Sequence, residues 1–322
     1  MLGFVRMVGI AGLLVWSGSA YAQDYPAKTI KLIVPFPAGG PADTFGRVIG
    51  ERLAASIGQP VVIENRSGAG GVTGVAAIAK AEPDGYTIGI GSSGTLAINV
   101  GLQEKMPYDP LKDLALLTQA VSVPELLVIG AQVPAKTLGE LVALAKAQPG
   151  KLNFASTGLG SMPHLAAELF KVTAAIDIVH VPYAGAAPAV NDLLGGHVQM
   201  LFADVPVLLG SVQSGQLRAV AIGSKARIPI LPDVPTTAEQ GLPQVEADNW
   251  YGIVAPAAMP PAVTAKLQTL LVQAIQAPEV RDKLAAQGAF TVGNSSEAFQ
   301  AYVKAEIGKW EKVIKAAGIK AK

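Results

Sequence analysis

The stretch Ile33-Val34-Pro35-Phe36-Pro37-Ala38-Gly39-Gly40-Pro41-Ala42-Asp43 runs from an apolar strand through a proline- and glycine-bearing turn into a helical pattern. A second stretch repeats the plan, Asn153-Phe154-Ala155-Ser156-Thr157-Gly158-Leu159-Gly160-Ser161-Met162-Pro163-His164. Neither contains a Lys or Arg. A helix start leaves its first N–H groups without intrahelical acceptors and carries a partial positive charge, so each turn reads as a place for a small anion held without a basic side chain. Together they read as grips for the two ends of one ligand.

Working outward, strand patterns alternate with helical periodicity, which predicts α/β layers with mostly parallel sheets. A strand over 30–34, a helix over 44–57 ending at Gly58, a strand over 61–64, a helix over 72–81 and a strand over 86–91 make one βαβαβ series. Between its second strand and second helix lies the flexible Ser67-Gly68-Ala69-Gly70-Gly71 turn. An extended segment over 114–129 and a helix over 138–147 lead into a second series, with strands over 152–155, 178–181, 198–202 and 217–222. Its helices are read over 162–173, 187–194 and 205–214. A proline-punctuated return reaches a strand over 250–255, and helices over 261–276, 278–287 and 296–317 finish the chain. These last helices are expected on the first lobe, which would comprise 23–123 and 251–322, with 124–250 as an inserted second lobe reached by two crossovers.

The start of the chain reads as a cleavable secretory signal. Arg6 precedes an apolar run over 8–16, small residues follow, and Ala20-Tyr21-Ala22 ends the segment, with cleavage expected after Ala22. The run is too short to span a bilayer comfortably. With no cysteine anywhere there is neither a lipid-modified Cys nor a disulfide, so export would deliver a free protein to the periplasm. Arg6 is the only charged residue of segment 1–22, so removal leaves 24 basic and 24 acidic residues from 25 and 24. That balance offers no basic stripe for nucleic acid. The 300 remaining residues suffice for two ordinary domains with real cores.

Other candidates for contact are read from their place at the carboxyl ends of strands, where ligands enter open α/β sheets. These are Ser92 and Ser93 in the first lobe, and Tyr183, Gly185 and Asp204 in the second. Several have plainer readings. Gly39 and Gly40 could serve a positive-φ turn, Asp43 could cap a helix starting near Thr44, Asp204 could cap the helix after it, and His164 could support its loop. Enzyme readings are weaker. Gly89-Ile90-Gly91-Ser92-Ser93-Gly94 matches a dinucleotide pattern, but its first glycines fall inside a strand. A serine hydrolase would pair Ser156 or Ser161 with His164 or His180, yet no Gly-x-Ser-x-Gly elbow is present. His164, His180 and His197 are too scattered for a metal motif, and no cofactor is implied.

The chain resembles the substrate-binding proteins of tripartite tricarboxylate transporters, the Bug receptors. The resemblance is carried by Pro35 to Asp43 as quoted, by Val62-Ile63-Glu64-Asn65-Arg66-Ser67-Gly68-Ala69-Gly70-Gly71, and by Pro83-Asp84-Gly85-Tyr86-Thr87. It continues through Ser156-Thr157-Gly158 with Gly160-Ser161 and His164, Val181-Pro182-Tyr183-Ala184-Gly185, and Trp250-Tyr251-Gly252. The resemblance implies a two-lobed periplasmic binding protein fold, type II-like, with a hinged cleft that captures a carboxylated solute, a di- or tricarboxylate or similar, for a membrane permease. It implies first-lobe contacts at Phe36, Pro37, Ala38, Gly39 and Gly40 with Asp43, and second-lobe contacts at Ser156, Thr157, Gly158 and Ser161. A monomer is expected, and a sensor kinase is an alternative partner for the same cleft.

Overall fold

The structure, a computed structural model, describes residues 25–320, so the segment read as an export signal lies outside the described residues. The chain begins with β1 (Ile30–Val34), α1 (Pro41–Ile57), β2 (Val61–Asn65), α2 (Val72–Ala79) and β3 (Thr87–Ser92). A wide helical turn at Gly94–Ile98 leads into the short α3 (Asn99–Leu102) and then the long β4 (Leu114–Gly130). Next come α4 (Leu138–Ala147), β5 (Leu152–Ser156), α5 (Met162–Ala174), β6 (Ile178–Pro182), α6 (Ala186–Leu194), β7 (Met200–Asp204), α7 (Val205–Gln213) and β8 (Leu217–Ile222). The described chain closes with β9 (Asp248–Pro256), α8 (Pro261–Ile275), α9 (Pro278–Ala285), β10 (Phe290–Thr291) and α10 (Ser296–Ala317).

The strands join in the order β2-β1-β3-β9-β4-β7-β5-β6, with β8 and β10 also on β4. The expected parallel pairing holds within β2-β1-β3 and within β7-β5-β6. Between these groups the pairing is antiparallel, because β4 and β9 carry the chain across the middle in opposite directions. β4 pairs β9 from Leu114 as far as Pro124 and pairs β7 from Glu125 onward. One strand therefore serves both halves and changes neighbours between two adjacent residues. Nearly its whole length is buried, as its near-continuous apolar sequence requires.

Each half is covered on both faces. In the first, α1, α8 and α9 pack Phe45, Ile49, Leu267, Leu271 and Leu284 against β1, β3, β4 and β9. The opposite face gathers Val75, Ile78, Leu96, Phe299, Val303 and Trp310, and Met162 and Leu165 of α5 join this cluster from the second half. The C-terminal helices pack against elements of the first half, and α10 also touches α5 of the second. The second half has its own cores around Phe154, Phe170 and Phe202 on one face and Leu193, Leu201 and Leu208 on the other. Among the described residues no helix is long and apolar enough to cross a membrane.

Helix α1 starts three residues before the expected Thr44. Pro41 takes its first position, where a fixed φ near the helical value is favourable and no N–H is lost. Its far end has Gly58 in the left-handed region, donating to Ala54 O, as the terminal glycine predicts.

Candidate functional site

The turns after β1 and β5 both lie at carboxyl ends of parallel strands and at helix N-termini. In the first, Pro37, Ala38 and Gly39 are exposed, and Phe36 and Gly40 are half-buried. Gly39 has φ +85°, a conformation L side chains rarely adopt. The expectation that Asp43 caps a helix beginning near Thr44 needs correction, because Asp43 lies inside the first turn of α1. Its Oδ2 accepts from Gly39 N–H and from Arg47 Nε, each at 2.9 Å, and its Oδ1 accepts from Asn65 Nδ2 at 2.9 Å. Burial alone would raise this carboxyl, but the bonds from Arg47, Gly39 and Asn65 outweigh it and hold its pKa below the ordinary value. Asp43 therefore braces the turn, and Arg47 is a nearby basic group that the turn sequence alone did not include. The N–H groups of Gly40, Ala42 and Asp43 meet no acceptor among the described residues and form the open donor set of this turn.

The second turn spends more of its polar capacity on itself. Gly158 N–H donates to Ser156 Oγ at 3.1 Å, and Gly160 N–H donates to His164 Nδ1 at 3.3 Å. Ser161 caps α5, accepting from His164 N–H, while its hydroxyl donates to Gly158 O at 2.6 Å. Ser156 is fully buried, and its Oγ lies 2.6 Å from His180 Nε2. The register explains this contact. Phe154 and His180 are partners across β5 and β6, and Ser156 stands two residues along the same face, within reach of the imidazole. His180 stacks on Phe154 at 4.9 Å and on His164 at 4.1 Å between ring centroids. Burial keeps both imidazoles neutral, pulling His164 down to about 3 with help from His180, and His180 to about 4 with help from Lys171. The groups left open are Thr157 and Leu159. Their N–H groups meet no acceptor among the described residues, nor does the half-buried Thr157 hydroxyl find a partner.

The Ser156–His180 contact is the pair a hydrolase would need, but the serine is inaccessible. No carboxylate hydrogen-bonds His180 among the described residues, so nothing orients the ring as a catalytic base.

The remaining candidates divide. Ser92 is buried at the end of β3, and its N–H donates to Thr95 Oγ1 at 2.9 Å. Ser93 is buried and donates to Asn249 Oδ1 at 2.6 Å. Tyr183 is half-buried, its hydroxyl donating to Asp192 Oδ2 at 2.7 Å, and Gly185 precedes α6 with φ +152°. Asp204 occupies the N-cap position of α7 yet makes no side-chain cap bond, contrary to the capping reading. Its carboxylate turns inward to accept from Asn249 Nδ2 at 2.8 Å and Tyr251 OH at 2.7 Å.

The two halves approach closely beside these turns. A Cβ on Gly94 would lie 3.2 Å from Gly160 O, and one on Gly160 only 2.6 Å from Asn99 Oδ1, so both glycines allow backbone to meet across the boundary. Alongside opens a cavity of about 590 Å³ lined from the first half by Ala69, Gly70, Asn99, Leu102, Gln103, Glu104 and Lys105 and from the second by Leu159. The Gly68–Gly71 loop and Lys105 were not among the expected contacts. The loop had the same signal as the other turns, glycines between a strand and a helix start, whereas Lys105 lies distant in sequence from every turn.

Two halves joined by crossing strands, with a helix N-terminus after a parallel strand in each and a cavity where they meet, suit a solute-binding protein of the periplasmic type. The chain belongs to the tripartite tricarboxylate transporter receptor family, which it matches over residues 45–319. It is 38% identical to protein BugT of Bordetella pertussis over the full length of both chains. Among solved structures, Rpa4515 of R. palustris with adipate is 36% identical with a TM-score of 0.87, the match covering 92% of this chain and 99% of that one. MatC from Rhodopseudomonas palustris with bound malate is 33% identical with a TM-score of 0.83, covering 90% and 100%. The family consists of substrate-binding receptors, and the chain is a binding protein, not an enzyme.

Proposed function

We propose that this protein captures a small dicarboxylate or related carboxylated solute between two lobes and delivers it to a tripartite tricarboxylate-type permease. The observation that carries the reading is a pair of turns, one in each half, with N–H donors that meet no acceptor among the described residues: Gly40, Ala42 and Asp43 in one, Thr157 and Leu159 in the other. The lobes on this reading are 23–123 with 251–322, and 124–250, and they close on the ligand by rotation about β4 and β9. Neutral donors suit a carrier, since release then leaves no buried cation without its partner. The adipate and malate in the two solved relatives support a ligand with a carboxylate at each end. Export through the 1–22 signal, cleavage after Ala22 and a monomeric state complete the reading.

A thermal-shift screen over dicarboxylates, tricarboxylates, acidic amino acids and aromatic carboxylates, followed by calorimetry on the hits, tests it. Thr157→Ala is expected to weaken the best ligand roughly five- to tenfold, the worth of one hydrogen bond of about 1 kcal/mol, while leaving the melting temperature in place. Unchanged affinity in that variant, or no stabilisation by any carboxylate, would overturn the assignment.

A further inference from the structure

Where β4 leaves β9 for β7, two acids meet in the dry interior. Glu125 is the first residue of β4 paired with β7, and its partner in the antiparallel register is Asp204. Directly opposed residues in such a ladder point to the same face, so the two carboxyls are neighbours. Glu125 is fully buried and Asp204 nearly so. Asp204 is well supplied with donors from Asn249 and Tyr251, but among the described residues neither oxygen of Glu125 meets a donor. An ionised Glu125 would thus be two orphaned acceptors beside a second anion, an arrangement costing far more than a hydrogen bond returns. A proton on Glu125 resolves it, converting one oxygen into a donor toward Asp204.

The groups around the pair come from every element of the crossing. β7 supplies Asp204, β9 supplies Asn249 and Tyr251 with Asp248 farther off, and the turn after β3 supplies Ser93 through Asn249. Asp248 in turn feels Glu246, Glu306, Lys309 and Lys225. Among the described residues no basic side chain acts on either member of the pair. Burial and the neighbouring Asp204 push Glu125 well above the ordinary carboxylate range, and burial also raises Asp204 against the pull of Asn249 and Tyr251.

We propose that Glu125 and Asp204 share one proton and act together as positioning residues that set the angle between the two halves of the protein. The geometry ties the pair to both sides of the cleft. Asp204 begins α7, and through Asn249 it reaches Ser93 at the end of β3. Rotation about β4 and β9 has to shear the Asn249–Ser93 and Asp204–Tyr251 bonds, which cross between the halves, and loss of the shared proton sets two like charges side by side on the β4–β7 ladder, displaces Asp204 from these partners and so frees the halves to open.

The inference rests on the two-lobe reading above and on no ligand, so it can fail while the carboxylate assignment stands, and the reverse. Small-angle scattering on the extensively dialysed, ligand-free protein from about pH 5.5 to about pH 9 tests it. The radius of gyration is expected to rise reversibly with pH, while Glu125→Gln, which has no proton to lose, stays at the compact value throughout. Glu125→Met, which removes the polar atoms altogether, provides a second non-titrating variant should the glutamine fold poorly. A wild-type radius independent of pH overturns the proposal, as does a Glu125→Gln curve that follows the wild type. Failure of both variants to fold overturns it also, since the pair would then serve stability alone.

Discussion

Ser156 and Thr157 are adjacent in the chain, and the fold gives them opposite tasks. The strand alternation turns Ser156 into the core against His180 and leaves Thr157 half-buried on the opposite side, its hydroxyl without a partner among the described residues. The two positions therefore answer differently to replacement by Ala. Ser156→Ala strands the His180 Nε2 and loosens the Gly158 turn, and it is expected to cost about 1–3 kcal/mol in urea unfolding. Asp43 makes the same point in the first turn. Its three bonds to Gly39, Arg47 and Asn65 involve a charged acceptor, so Asp43→Asn is expected to lose about 1.5–3 kcal/mol and to weaken ligand binding only through a slackened turn. A variant with full stability would show that the carboxylate is not the brace it resembles.

At the scale of elements, glycines inside strands do unseen packing work. Gly252 lies in β9 beneath α10, where an added Cβ would stand 2.1 Å from Phe299 Cζ. Gly252→Ala cannot be absorbed by a shift of a flexible tip, because the Phe299 ring is itself fully buried. The expected loss is about 1–3 kcal/mol or more, read as a lowered melting temperature with α10 partly undocked. Most elements were legible in the sequence because their apolar periodicity is local: β1, α4, β8 and α10 fall where the pattern put them. The wide turn at Gly94–Ile98, the short α3 and β10 were not read, since each is held by contacts from far along the chain. β10 exists only through pairing with Ser122 and Val121 of β4. Of the site, the two turns and their glycines were visible in sequence. The inward commitment of Ser93, Ser156 and Asp204 was not, because their partners Asn249, His180 and Tyr251 are brought to them only by the sheet order.

For the molecule as a whole, buried ionisable groups set opposing pH limits. His164 and His180 have folded pKa values depressed from 6.5, so the unfolded chain takes up protons first as pH falls, and stability is lost from about 6.5 downward. Glu125 and Asp204 are raised, and Asp248 is raised to about 6 by burial and Glu246. There the folded state holds protons that the unfolded chain releases, so stability declines as pH climbs above the ordinary carboxylate values. Urea midpoints measured against pH are expected to peak in the mildly acid range, and Glu125→Gln is expected to flatten the alkaline limb while leaving the acid limb intact. Loss of the acid limb instead would assign the titration to the wrong groups. A separate consequence follows from Glu306, whose Oε2 accepts from both Trp250 and Trp310 at 3.0 Å. These are the tryptophans of the described chain, both fully buried and both fastened to one carboxylate away from the cleft. Trp250 belongs to a crossing strand and Trp310 to the helix packed over it, so the molecule carries an internal optical gauge of its own pivot. A ligand that alters tryptophan emission will do so by twisting β9, without touching either indole.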